Sequence, residues 1–272
     1  TDTFTPTGAL ATARMGHSAT LLDDGRVLVA GGTNTLLPDY LAFLFGNALS
    51  TEIWDPNTGT FSAGPNLDNG AKMFHTATRL NNGNILFAGG FSITFISGFG
   101  VAEITNRMSV YDQQTNSFIA NPFRIGGRPR AAHSAVLLDD GRVLLAGGAS
   151  QPVETAPTTR GVDVYDPVVD NGAAVADMSR SRGMFPMFKL NDGRVVALGG
   201  VIGDFTNTGA TNRIDIYDPV LDTWTDTMGI TDMLSTPRAA SSGIRLSTGR
   251  ILVIGGQDGN DTPQLSAELF LQ

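Results

Sequence analysis

The stretch Asp23-Asp24-Gly25-Arg26-Val27-Leu28-Val29-Ala30-Gly31-Gly32 combines a tight turn, an apolar run and a double glycine. The same pattern occurs four more times, with doublets at Gly89-Gly90, Gly147-Gly148, Gly199-Gly200 and Gly255-Gly256. The doublets are 58, 58, 52 and 56 residues apart, and a turn glycine lies six positions before each of them. A constant core with variable spacing between copies indicates a repeat protein.

The first copy predicts four short antiparallel strands joined by two tight turns. One turn is Asp23-Asp24-Gly25, since Asp-Gly readily adopts the positive φ values of a two-residue hairpin. The other is Asp55-Pro56-Asn57-Thr58-Gly59, with Pro and Gly where turns prefer them. The doublet ends the second strand, where a side chain would block a close backbone approach. The predicted strands are His17–Leu22, Arg26–Ala30, Thr51–Trp54 and Thr60–Ser62.

The two ends of the chain match complementary parts of the repeat. Ser266–Phe270 matches the third strand at Ser50–Trp54, and Thr1–Thr5 matches the fourth strand at Leu221–Thr225. The N-terminal strand is therefore expected to complete the last sheet and close a ring without open blade edges. The expected fold is an all-β, five-bladed β-propeller of four-stranded antiparallel blades, forming one domain across residues 1–272. Its blades are expected at about 14–63, 72–120, 130–177, 182–227 and 238–272 plus 1–6.

The repeats resemble those of the kelch family. The resemblance rests on the double glycine, on Tyr165-Asp166-Pro167 and Tyr217-Asp218-Pro219, on the aromatic of the next strand such as Trp224, and on the Arg-x-x-His-Ser pattern of Arg14–Ser18. It covers essentially the whole chain. It implies a β-propeller of four-stranded blades that binds ligands with the long connections. Family members more often have six or seven blades, so five is a departure.

Composition excludes several classes of function. The net charge is −8 and no basic stripe is present, which argues against a nucleic-acid partner. No apolar stretch approaches the roughly 18 to 20 residues needed to span a bilayer, and no signal-peptide pattern opens the chain. With no cysteine there is no disulfide, thiolate nucleophile or cysteine-ligated metal. Localisation stays open; absent cysteine, acidity and few lysines are compatible with a secreted protein.

Function is expected on one side of the blades. In a four-stranded meander the first and third connections share one end, so the tight turns lie together. The long, divergent connections after each doublet and each fourth strand lie at the other end, called here the long-loop face. Variable loops on a rigid scaffold usually carry function.

Two neighbouring long connections are unusually apolar. They hold large side chains that could pack on one another as a local core, or form a surface for a partner or for self-association through residues 33–50 and 91–107. Membrane contact is a third alternative. The candidate partner-binding residues are Leu37, Tyr40, Phe43, Phe45, Phe91, Phe95 and Phe99.

A basic residue lies ten positions before the residue that precedes each hairpin glycine. The position is at the start of the innermost strand, so these residues are expected to ring the mouth of a central channel. Such a ring could bind carboxylate or phosphate ligands. Alternatively, each residue pairs with a neighbouring Asp or caps loop carbonyls, and so holds the blades together. The five residues are Arg14, Lys72, Arg130, Arg182 and Arg238.

All three histidines, His17, His75 and His133, occupy one repeat position. They come from separate blades and match a common kelch residue, so a structural hydrogen-bonding role is favoured and no metal site is predicted. The remaining copies have Phe185 and Ser241 there.

Two enzyme classes with propeller folds each require particular residues. Kelch propellers occur in copper radical oxidases resembling galactose oxidase, which need a Tyr–Cys crosslink that a chain without cysteine lacks. Glycosidases need two or more carboxylates facing the substrate. Candidate acids near the long-loop face form no evident pair: Asp39, Glu103, Glu154, Asp163, Asp204, Asp232, Asp258 and Asp261.

The sequence therefore predicts a non-catalytic binding or protein-interaction scaffold that uses the long-loop face and the channel mouth. It predicts no cofactor and no catalytic residue. The expected partner is a protein, or an acidic or carbohydrate ligand, and neither a nucleic acid nor a membrane span is expected. The alternative is a carbohydrate-binding, lectin-like or glycoside-hydrolase-like propeller.

Overall fold

The computed structural model describes residues 4–34, 49–68, 70, 72–96, 99–120, 127–151, 157–204, 208–226, 233–260 and 262–271. Within these ranges the chain forms β-strands only, 23 of them, and so contains no helix that could cross a membrane. The chain divides into two compact units, residues 1–124 and residues 125–272.

The first unit contains two four-stranded antiparallel sheets, blades 1 and 2. A two-stranded hairpin is inserted between the second and third strands of blade 2. Blade 1 consists of β1 (Ser18–Leu21), β2 (Val27–Ala30), β3 (Thr51–Asp55) and β4 (Thr60–Ala63). Blade 2 consists of β5 (Thr76–Arg79), β6 (Ile85–Ala88), β9 (Met108–Asp112) and β10 (Ser117–Phe118), with the hairpin strands β7 (Phe91–Ile96) and β8 (Phe99–Ile104).

The second unit contains blades 3, 4 and 5. Blade 4 carries a shorter inserted hairpin of two strands. Blade 3 consists of β11 (Ser134–Leu137), β12 (Val143–Ala146), β13 (Val162–Asp166) and β14 (Asn171–Ala174). Blade 4 consists of β15 (Met187–Lys189), β16 (Val195–Leu198), β19 (Ile214–Asp218) and β20 (Thr223–Asp226), with β17 (Val201–Gly203) and β18 (Thr208–Ala210) as the hairpin. Blade 5 consists of β21 (Ser242–Arg245), β22 (Ile251–Ile254) and β23 (Ala267–Phe270).

These five antiparallel sheets confirm the predicted fold class, an all-β fold of the five-bladed β-propeller type. In the described part of the chain, blade 5 has three strands. Phe4, which the repeat aligns with Trp224, is fully exposed, and Thr1–Thr3 lie outside the described residues. Completion of blade 5 by the N-terminal strand therefore stays a prediction, as does a single domain across residues 1–272.

The second strand of each blade is an apolar run that contributes to a buried cluster shared with a neighbouring blade of the same unit. In the first unit, Leu28 and Ile53 of blade 1 share one buried cluster with Ile85 and Phe87 of blade 2. In the second unit, blades 3 and 4 share a cluster, and blades 4 and 5 share another. The strands β6, β12 and β16 are buried along their whole length. The interiors thus lie between neighbouring blades, as in face-to-face sheet packing.

The double glycine allows two backbone segments to approach the end of the second strand. A Cβ at Gly31 would lie 2.2 Å from the carbonyl oxygen of Lys72 in the next blade, and a Cβ at Gly32 would lie 2.8 Å from that of Met15. Both glycines have positive φ, 66° and 90°, which other residues rarely adopt. The Gly32 N–H donates to the Lys72 carbonyl at 2.8 Å. The doublet therefore joins blade 1 to blade 2, because the absence of side chains lets the two backbones approach closely.

A second backbone bond joins neighbouring blades at an unusual conformation. Phe74 has φ 53°, in the left-handed region, and its N–H donates to the Gly16 carbonyl of the preceding blade at 2.8 Å. Met184 donates in the same way to Ala132 at 2.9 Å, and Ala240 donates to Met184 at 3.0 Å. All three donors have positive φ, so contact between blades holds a conformation that their side chains disfavour.

Candidate functional site

Four of the five basic residues singled out by the repeat are arginines with one common set of bonds. Their side chains are buried. In each, Nη1 donates to the carbonyl oxygen of the first glycine of the doublet and to a second carbonyl just before the third strand. The acceptors are Gly31 and Ser50 for Arg14, Gly147 and Gly161 for Arg130, Gly199 and Arg213 for Arg182, and Gly255 and Ser266 for Arg238.

Each of these arginines also pairs with an acid on the third strand of its own blade. The acids share one register position, opposite the third residue of the second strand. The pair therefore ties the start of the first strand to the third strand within one blade. The pairs are Arg14–Glu52 at 2.8 Å, Arg130–Asp163, Arg182–Asp215 at 3.1 Å and Arg238–Glu268 at 3.0 Å.

The electrostatics of these pairs follow from burial and hydrogen bonding. Burial by itself would raise the pKa of Glu52, but bonds from the Ala11 N–H and from Arg14 outweigh it and lower that pKa. The pKa of Glu268 is lowered in the same way. Burial lowers the pKa of Arg182, since a charged guanidinium loses its hydration there. Each charge is thus compensated by its partner inside the blade.

The geometry of the four arginines therefore fits the second alternative offered by the sequence, pairing with a neighbouring acid. A depression of about 210 Å³ lies beside the Arg14–Glu52 pair and is also lined by Ala9, Thr12 and Ser62. Binding of an external carboxylate or phosphate by the five basic residues stays a prediction. In these four blades it would require the ion pairs to open.

Blade 2 departs from this arrangement at both positions. The basic residue is Lys72, and Ser109 stands where the other blades have an acid, opposite Phe87 of the second strand. Lys72 Nζ donates to the Arg107 carbonyl at 2.7 Å, two residues before Ser109. Lys72 therefore keeps one of the arginine's carbonyl bonds, but no acid pairs with it among the described residues.

Lys72 is shielded from solvent. The side chain is fully buried, and burial lowers the pKa of its amine to about 7. Asp68 and Glu103 act in the opposite direction as negative charges, while Arg107 adds to the lowering. Ser109 Oγ is fully buried and has no hydrogen-bond partner in the described structure. Two polar groups of blade 2 are thus poorly satisfied at the place of the missing carboxylate.

The three histidines do not converge on one centre. His75 is buried and its Nε2 lies 2.8 Å from Ser18 Oγ of the preceding blade, a structural bond. Burial lowers the pKa of His75 to about 3, so the ring is neutral. His133 is buried and His17 is exposed. In the described part of the chain, no group of three or more His, Cys, Asp or Glu residues is placed to hold a metal ion.

The apolar loop residues are only partly within the described structure. Leu37, Tyr40, Phe43 and Phe45 lie outside the described residues. Phe95 belongs to β7, and Phe99 is the first residue of β8. Phe91 begins that hairpin and is half-buried, with its ring 6.3 Å from the ring of Phe74 in an edge-to-face contact. Their role as a partner surface stays a prediction.

The long connections of the second unit contact one another. Thr158, at the end of the blade 3 connection, donates its N–H to the Gly203 carbonyl of the blade 4 hairpin, and Pro157 forms a bridge with Asp204. The Thr158 hydroxyl donates to the same Gly203 carbonyl at 3.0 Å. These two connections therefore support each other rather than standing apart.

The tight-turn side carries a feature that the sequence reading missed. Four aliphatic residues at the turn tips of blades 3 and 4 are strongly exposed: Val168 at 90 %, Val169 at 68 %, Val220 at 90 % and Leu221 at 69 %. The corresponding turns of blades 1 and 2 are polar, Asn57-Thr58 and Gln114-Thr115. A groove of about 440 Å³ lies beside Val220, between the hairpins of blades 3 and 4. Comparing the turn residues between copies would have revealed this apolar surface.

Four of the eight acids considered for hydrolysis lie within the described residues. Asp163 is buried in its ion pair with Arg130, and Asp258 accepts N–H bonds from Asn260 and Thr262. Glu103 lies on β8, and Asp204 follows β17. The other four lie outside the described residues: Asp39, Glu154, Asp232 and Asp261.

No protein-family model matches the chain, and no curated protein matches it in sequence.

Proposed function

We propose that this chain is a kelch-type β-propeller that acts as a non-catalytic scaffold and binds a protein partner through its long connections. The contrast between constant blades and variable connections carries the proposal. The second and third strands pair in the same register in every blade. The connection between them contains a long hairpin in blade 2 and a short hairpin in blade 4. Variation confined to such connections is typical of binding surfaces.

The β7–β8 hairpin is the main candidate for the contact with the partner. Six residue pairs join Phe91–Ile96 to Phe99–Ile104, so the insertion is a regular two-stranded arm. Its sequence holds three phenylalanines and several aliphatic residues. Aromatic residues are enriched in the buried centres of protein–protein interfaces. A protein surface is therefore the favoured partner for this arm.

The kelch assignment is supported by the roles of the repeated residues. In blades 1, 3 and 4 both doublet glycines sit where a Cβ would collide with backbone. The arginines bind the doublet carbonyl, and the third-strand tyrosines bond across the second tight turn. The residues that carry the resemblance thus act on the blade framework.

A scaffold role agrees with the use of the blade carboxylates. Glu52, Asp163, Asp215 and Glu268 compensate buried arginines, and the turn acids accept backbone N–H groups. Carboxylates engaged in this way stabilise the fold, whereas glycoside hydrolysis needs a pair that faces substrate.

The test compares three proteins. In the first variant, residues 94–101 are replaced by Asn-Gly, which leaves the pairs from Phe91–Ile104 to Ile93–Ala102 joined by a tight turn. The control variant carries Val168→Ser and Val220→Ser on the tight-turn side. A partner is identified by cross-linking to the wild-type chain, and its Kd is measured by calorimetry for all three proteins.

The hairpin variant is expected to weaken binding at least about tenfold, since hot-spot residues cluster in aromatic, desolvated contacts. The control is expected to bind like wild type. Sedimentation velocity shows whether the partner is a second copy of this chain. Equal Kd values in wild type and hairpin variant would contradict the proposal. Turnover in a glycosidase substrate panel would refute the scaffold role, and glycan-array binding without turnover would favour the lectin alternative.

A further inference from the structure

Blade 2 lacks a carboxylate that the other four blades possess. At one register position on the third strand stand Glu52, Asp163, Asp215 and Glu268, and each pairs with the arginine of its own blade. In blade 2 the same position is Ser109, and the arginine is replaced by Lys72. Both residues of the ion pair therefore differ in blade 2. Lys72 can still carry a positive charge, whereas Ser109 cannot carry a negative one.

The polar groups that remain have unused hydrogen-bonding capacity. An ammonium group has three N–H donors, and the described structure gives Lys72 Nζ one acceptor, the Arg107 carbonyl at 2.7 Å. Ser109 Oγ has no partner in the described structure. Both side chains are fully buried, where unsatisfied polar groups and uncompensated charges are unfavourable.

We propose that blade 2 binds a small carboxylate anion in place of the missing acid, between Lys72 Nζ and Ser109 Oγ. Such an anion would accept hydrogen bonds from the amine and the hydroxyl and would balance the ammonium charge, as Asp215 balances Arg182. Serine differs from aspartate by a hydroxyl in place of the carboxylate, so a one-carbon or two-carbon acid supplies the missing group.

Charged neighbours set the conditions for binding. Asp68 and Glu103 act as negative charges on Lys72, and Arg107 acts as a positive one. His75, whose ring is neutral, lies immediately before β5 of the same blade. The two acids oppose an incoming anion, while Lys72 and Arg107 attract it. Binding therefore requires a protonated Lys72 and is expected to strengthen as the pH falls from 9 to 6.

The test uses thermal unfolding of the whole chain with sodium formate as the probe. Formate is titrated at constant ionic strength against sodium methylsulfate, a bulkier anion. Wild type is expected to show a saturable rise in Tm, larger at pH 6 than at pH 9, because a ligand that binds the folded state stabilises it. Ser109→Asp supplies an internal carboxylate and should abolish the response while raising the Tm without formate. Ser117→Asp, which adds the same charge on the exposed β10, should retain the response.

Three results would overturn the proposal. They are no saturable response in wild type, an undiminished response in Ser109→Asp, and an equal response to sodium chloride, which would indicate a general anion effect. Lys72→Met provides a second variant and should also lose the response. If Ser109→Asp does not fold, Lys72→Met decides the outcome by the same measurement. Line broadening of ¹³C-formate by wild type but not by Lys72→Met gives a direct readout of binding.

Discussion

Arg182 and Asp215 form an ion pair of 3.1 Å in which both side chains are fully buried. Asp215→Ser would leave the guanidinium charged and without its counter-ion in a dry site. We expect the free energy of unfolding to fall by about 3–5 kcal/mol, the usual effect of breaking a buried pair. Urea denaturation measures this change. Asp192→Ser, in the half-exposed Arg194–Asp192 pair of the same blade, serves as the control and should cost less than about 1 kcal/mol. Similar losses in both variants would contradict a structural role for the buried pair.

Introducing the lysine and serine of blade 2 into blade 4 tests whether serine in place of the acid is better tolerated beside lysine than beside arginine. A buried lysine can lose its proton, whereas an arginine stays charged. Arg182→Lys combined with Asp215→Ser should therefore be more stable than Asp215→Ser alone, by about 0.5–3 kcal/mol of coupling. Urea denaturation at pH 8 provides the comparison. A double variant no more stable than the single one would show that the two changes in blade 2 are independent.

The low pKa of Lys72 predicts a specific dependence of stability on pH. The amine titrates at about 7 in the folded chain against 10.5 in the unfolded chain, because burial disfavours its charged form. Between these values the unfolded state binds more protons, so stability rises with pH, by at most about 1.4 kcal/mol per pH unit from this group. This stability is fully present above pH 10.5 and is lost as the pH falls through 7.

Lys72→Met should remove this component of the slope. The unfolding free energy of Lys72→Met minus that of wild type should be largest near pH 6 and should decrease towards pH 9.5. Lys189→Met is the matched control, since Lys189 is the only other lysine and is paired with the exposed Asp139. Parallel pH profiles for wild type and Lys72→Met, in urea denaturation at 0.5-unit steps, would refute the shifted pKa.

The strands and tight turns were predictable because their causes are local. Asp-Gly turns, apolar runs and the double glycine each act within about ten residues, and β1 to β4 lie where the first copy predicts them. The ion pairs were not predictable as pairs. Arginine and acid are 30 to 38 residues apart, and only the register of β2 with β3 and its equivalents brings them together.

The left-handed residues before the first strands also escaped prediction. Gly16 gives the usual local indication of positive φ, but Phe74, Met184 and Ala240 give none. Their conformation is maintained by N–H bonds to the preceding blade within each unit. A conformation imposed by tertiary contact leaves no trace in local residue preference.

The first doublet glycine should be far more sensitive to substitution than the turn glycine of the same blade. Gly31→Ala places a Cβ 2.2 Å from the Lys72 carbonyl, whereas Gly25→Ala meets nothing within 4 Å. Both positions have positive φ, 66° and 87°, so each alanine pays the same type of backbone strain, about 1–3 kcal/mol. The excess loss in Gly31→Ala measures the contact between blades. Equal unfolding free energies for the two variants would show that this contact is easily displaced.

Tyr217 and Asp222 show how the second tight turn is stabilised. The Tyr217 hydroxyl donates to Asp222 at 2.9 Å, and Asp222 has φ 50°. In blade 1 the same two positions are Trp54, which lacks a hydroxyl, and Gly59, with φ 66°. The side-chain bond therefore holds a conformation that glycine adopts without help. Asp222→Ala should lose about 1.5–3 kcal/mol for the hydrogen bond from Tyr217, together with the bond from the Ala176 N–H at 2.9 Å and the strain. Asp222→Gly should lose about 1 kcal/mol less than Asp222→Ala, because glycine tolerates positive φ.

Urea denaturation of both variants and of Tyr217→Phe, which keeps Asp222 but removes the tyrosine donor, separates the bond from the strain. Indistinguishable midpoints for the alanine and glycine variants would mean that the turn relaxes out of the left-handed region.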